Sequence, residues 1–61
     1  MTEKQITNWM KERIDNRDFT DAAGLAKEFL QEHNITNALD PQFSMTISAG
    51  FKMAETIAKL P

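Results

Sequence analysis

His33 is the one side chain of this sequence whose ordinary pKa would let it serve as a general base or a neutral metal ligand near pH 7. Either role needs company. A structural or catalytic metal site gathers three or four His, Cys or carboxylate ligands, and the chain has no second histidine and no cysteine. The carboxylates are spread over the outer faces of amphipathic segments, and so small a core leaves no room for an apolar pocket around any of them. Gly24 and Gly50 each stand alone in helical patterns, without the strand-to-helix turn of a phosphate loop. No catalytic residue, metal or cofactor is expected, and the chain is not expected to be an enzyme. His33 falls in the last turn of the expected second helix, and its plain reading is a surface residue near a helix end.

What remains is recognition. Trp9, four phenylalanines and four methionines belong to the residue types that dominate protein interfaces, and the same types fill cores. Choosing between the two requires the elements that carry them.

Thr2 with Gln5 forms a capping box that starts a helix. Ile6, Trp9, Met10 and Ile14 then line one face of it, with Lys4, Lys11, Glu12 and Asp15 largely opposite. Asn16 to Phe19 breaks the pattern. Thr20 or Asp18 can cap a second helix, with Asp21 well placed at its positive end and Phe19 as a staple. That helix turns Ala22, Leu25, Ala26, Phe29 and Leu30 inward and ends near Asn34 in a left-handed cap, with Ile35 folding back. Ile35 and Leu39 are apolar anchors in the connection that follows.

Asp40 and Pro41 mark a third start, a capping carboxylate before a proline at the first helical position. From there to Leu60 the chain carries ten apolar residues. Phe43, Met45, Ile47, Ala49, Phe51 and Met53 alternate as in a strand, whereas Phe43, Ile47, Phe51, Ala54 and Ala58 follow the helix period. Helix is preferred, because a lone strand has no partner to satisfy its backbone. Gly50 is the point where this helix can kink or divide, giving segments near 41 to 49 and 51 to 60. Ala22-Ala23-Gly24 and Ser48-Ala49-Gly50 are read as places where helix backbones approach closely; the latter could also dock an aromatic side chain of a partner.

The expected fold is therefore all-α: a small three-helix bundle in one domain spanning residues 1 to 61, with helices over about 2 to 16, 20 to 34 and 41 to 60, packed around Trp9, Phe29 and Ile47. Sixty-one residues with a hydrophobic fraction of 41% give a core of modest stability, with no disulfide to reinforce it. The third helix would reach about 30 Å, longer than its two neighbours can cover. Its surplus face is expected to bind protein, through self-association as a homodimer or as a small regulator, inhibitor or adaptor of an unidentified partner. Phe43, Met45, Phe51, Met53 and Ile57 are the candidate contact residues. On this expectation Met53→Asp dissociates the assembly without unfolding it.

Charge is uneven. Residues 18 to 40 set Lys27 against Asp18, Asp21, Glu28, Glu32 and Asp40, for −4, and the flanking thirds each carry +1, for a total of −2. Asp21, Glu28 and Glu32 form a candidate acidic surface for a basic protein, although a solvated helix face explains the same residues and is the preferred reading. Nucleic acid is a possible partner but not the favoured one, since no basic stripe is visible. The alternative nevertheless has a foothold: Leu25-Ala26-Lys27-Glu28-Phe29 resembles the first helix of a helix-turn-helix DNA-binding regulator, with 41 to 60 as recognition helix.

The opening Met and the absence of tag or linker composition lead us to expect a complete small gene product. No signal peptide is expected after Met1, nor any membrane span. A cytoplasmic location is expected, compatible with the lack of cysteine.

Overall fold

The computed structural model describes all 61 residues as three helices without a strand: α1 (Glu3–Asp15), α2 (Ala22–Glu32) and α3 (Pro41–Ala58). Each begins where its sequence places a cap. The Thr2 hydroxyl accepts from the Gln5 N–H while the Gln5 side chain accepts from the Thr2 N–H, closing the capping box of α1. For α2 the cap is Asp21, whose carboxylate accepts from the Gly24 N–H at 2.6 Å; the helix thus starts two residues after the expected residue 20, and neither Thr20 nor Asp18 is its cap. Asp40 caps α3 through the Gln42 N–H at 2.9 Å, ahead of Pro41.

Two of the helices end alike. Asn34 adopts a left-handed conformation at φ 55° after α2, and the Ile35 N–H donates back to the Leu30 carbonyl at 2.9 Å, the Schellman closure. Arg17 does the same after α1 at φ 59°, with the Asp18 N–H on the Arg13 carbonyl at 2.9 Å. Ile35 is buried by this return. Leu39, the other expected anchor of the connection, is not: it is 89% exposed, because the Asn37 side chain accepts its N–H and turns the chain outward before Asp40.

α3 packs against both α1 and α2 and forms the spine of a body 36 Å long and 17 by 16 Å across. Ile6, Met10 and Ile14 of α1, Leu25, Ala26 and Phe29 of α2, Ile35, and Ala49 and Met53 of α3 make the apolar core. Thr46 is buried among them and its hydroxyl donates to the Gln42 carbonyl one turn back at 2.7 Å. No buried side-chain nitrogen or oxygen is left unpartnered, as a small core requires. Of the three expected centres, only Phe29 lies fully inside. Trp9 is half-buried against it, and Ile47 is 37% exposed.

The reason lies in the rotation of α3. The core face of this helix is Thr46, Ala49, Gly50 and Met53, not the larger stripe of Phe43, Ile47, Phe51, Ala54 and Ala58. Gly50 neither kinks nor divides the helix, which runs unbroken through it. It sits instead at the crossing with α2, where a Cβ would stand 3.2 Å from the Ala26 Cβ and 3.6 Å from the Ala22 carbonyl oxygen. Small residues let two backbones close up, and that proximity fixes which face of α3 turns inward. Gly24 has a different use: a Cβ there would press on the capping carboxylate of Asp21 at 3.1 Å. Gly50→Leu is expected to force α2 and α3 apart and lower stability by about 1 to 3 kcal/mol, the usual cost of overpacking. A reduced urea midpoint with unchanged slope would register it.

Candidate protein-binding face

Turning Gly50 inward leaves Ile47 and Phe51 of α3 outside. Phe51 is 74% exposed and Ile47 lies one turn before it on the same face, so together they form a ridge. On the α2 side of the ridge is a hollow of about 430 Å³ floored by Ala22, Ala26, Gly50 and Ala54, with Ala23, Lys27 and Leu30 on its far bank. On the other side is a second hollow of about 590 Å³, between the ridge, Phe43, Ala38, Ser44, Ser48, Lys52 and Glu55. The first is almost wholly apolar and the second is mixed.

The five expected contact residues are thus divided. Phe51 stands on this face. Phe43, Met45 and Ile57 are half-buried and packed against the core, so each offers at most an edge. Met53 is 4% exposed and belongs to the core; it lies one turn from Ala49 on the inward side, and its expected place on a contact surface is corrected accordingly. Ile47, expected inside, is the exposed apolar residue beside Phe51 that sequence reasoning missed. Its signal was present in the small residues at 49 and 50, which demand a close neighbour and so leave Ile47 and Phe51 turned away from the core.

The acidic residues are partly occupied within the chain. Asp21 caps α2. Glu28 receives both its oxygens' hydrogen bonds from the Arg13 Nη2, at 3.1 and 2.9 Å, while Arg13 Nε donates to the Asp18 carbonyl at 3.1 Å and lies 3.0 Å from its carboxylate. Lost solvation pulls the Arg13 pKa down, but the hydrogen bond to Glu28 and the charges of Asp18, Glu28 and Glu32 outweigh this and hold it above the usual arginine value. Glu32 remains exposed at the end of α2. The same guanidinium lies 5.0 Å over the ring of Trp9, one turn earlier on α1, while its bonds to Glu28 join α1 to α2.

His33 is also engaged structurally. Its ring stacks on Phe29 with centroids 4.1 Å apart, and its Nδ1 is 3.0 Å from the Phe29 carbonyl oxygen. No group of three or more His, Cys, Asp or Glu side chains is placed to hold a metal ion. No helix is long and apolar enough to cross a membrane. On α3, Lys52 is ion-paired with Glu3 of α1, and the first turns of the helix carry no cation. Comparison of the chain with known protein families, characterised proteins and solved structures finds no match.

Proposed function

We propose that this chain is a non-catalytic protein-binding module that works through the Ile47–Phe51 ridge and the hollow beside it, self-associating as a homodimer and acting as a small regulator, inhibitor or adaptor. The observation that carries the reading is the placement of Phe51: a phenylalanine in mid-helix, left 74% exposed beside an apolar hollow. Water contact at that position costs roughly 1.5 to 3 kcal/mol relative to burial, in a chain too small to have much stability to spare. A partner that covers the ridge recovers that energy. The reading places the protein in the cytoplasm, where a cysteine-free fold has no need of oxidising conditions.

Light scattering coupled to size exclusion, over a concentration series at about 0.15 M salt, is the test. The wild-type mass is expected to rise toward twice the monomer value with concentration. Phe51→Asp is expected to remain monomeric throughout with its helical signal unchanged, since an exposed position tolerates a charge. A variant that associates as the wild type does would remove Phe51 from the contact and the reading with it.

A further inference from the structure

We infer that the groove receives a second copy of this chain in one particular arrangement: two α3 helices cross about a two-fold axis, each Ile47–Phe51 ridge lies in the Ala22–Gly50 hollow of the other, and Lys27 of each copy faces Glu55 of the other. The inference rests on the protein-binding reading above and adds its occupant and its register.

A two-fold interface uses the same patch on both copies, so the patch must contain both halves of the fit. A surface built for a foreign partner needs only one. Here the projecting ridge and the receiving hollow adjoin, and Phe51 borders both. The ridge follows the four-residue spacing of a helix surface row, and two such rows interlock when helices cross at about −50°. The hollow is floored by alanine and glycine, the residues that admit a ring from outside without a clash.

Charge points to the same arrangement. The ion pairs within the chain use Arg13, Asp18, Glu28, Lys52 and Glu3. Lys27, on the far bank of the apolar hollow, and Glu55, beyond the ridge, take part in none. When the ridge of one copy fills the hollow of another, the flank bearing Glu55 comes to rest along the bank bearing Lys27. Symmetry makes that contact twice.

Reversal of these two charges tests the register. Lys27→Glu and Glu55→Lys each set like charges against one another at both crossings, so each variant alone is expected to dimerise roughly tenfold more weakly than the wild type. Mixed in equal amounts, they pair 27 with 55 correctly in the heterodimer, and association is expected to return to within about threefold of the wild-type value. Both positions are exposed and free of internal ion pairs, and circular dichroism of each variant verifies the fold. Singly reversed variants that dimerise as the wild type does, or a mixture no stronger than its components, would overturn the arrangement; if Phe51→Asp still abolished the dimer, the protein-binding reading would survive. A wild type that stays monomeric at the highest attainable concentration would rule out a second copy as occupant, and that reading would then be judged by whether wild type and not Phe51→Asp retains another protein.

Discussion

Met53→Asp is expected to unfold the chain rather than merely to separate its copies. Met53 is 4% exposed and packed in the core with Ala49 and the apolar residues of α1 and α2. Shortening a buried methionine costs about 2 to 5 kcal/mol, and a carboxylate left there without a partner costs several more or takes up a proton at further cost. The whole stability of a 61-residue domain is roughly 3 to 9 kcal/mol. Loss of the helical circular dichroism signal at 25 °C is the expected outcome. Met53→Leu, which keeps the volume, should lose less than about 1.5 kcal/mol. The contrast with Phe51→Asp is the point of the experiment: two positions, two residues apart, both apolar, with opposite consequences. A Met53→Asp protein that kept its helices would show the rotation of α3 to be wrong.

That rotation is also where the sequence was hardest to interpret. The starts of α1 and α3 were legible because caps are local: Thr2 with Gln5, and Asp40 with Pro41, act on N–H groups within three residues. The left-handed Asn34 and the return of Ile35 were legible for the same reason. Arg17 was not, because arginine carries no preference for φ 59°; the backbone bonds of the Schellman closure and the Arg13 side chain on Asp18 hold the turn there. In α2 the cap is neither Asp18 nor Thr20, as expected, but Asp21, through a single bond to the Gly24 N–H.

For α3, two stripes share the helix period. One holds Phe43, Ile47 and Phe51 and the other Thr46, Ala49, Gly50 and Met53. Hydrophobicity ranks the first higher, and a reading based on burial alone sends it inward. Packing reverses the order, since the hydrophobic gain of two aromatics cannot be collected if their bulk keeps α2 at a distance. The close approach over Gly50 lets Ala26, Leu25 and Phe29 reach the common core. The cluster Ser48-Ala49-Gly50 implied such an approach from sequence, but which stripe it excluded became plain only with α2 in place. The exposed ridge follows as the remainder: what the crossing expelled is Ile47 and Phe51.

Phe29→Ala is expected to be the most damaging apolar truncation in the molecule. Phe29 is 1% exposed, the largest of the fully buried side chains. The Trp9 ring meets it edge-on with centroids 5.3 Å apart and planes at 80°, and His33 stacks on it at 24°. Its removal opens a cavity costing about 3 to 5 kcal/mol, and each lost aromatic contact adds about 0.5 to 1.5 kcal/mol. Trp9 would lose the ring that holds its edge, and the Arg13 guanidinium above it would lose a fixed platform. Because Trp9 is the only tryptophan, its fluorescence reports this site alone: a red-shifted native emission should accompany the fall in stability. Phe29→Leu separates the two contributions, since it fills much of the cavity and restores neither aromatic contact; a loss of about 1 to 2 kcal/mol is expected for it. Should Phe29→Ala cost no more than Phe29→Leu and leave the Trp9 emission unmoved, the aromatic stack would be a bystander and the junction of α1 with α2 would rest on Arg13 and Glu28 alone.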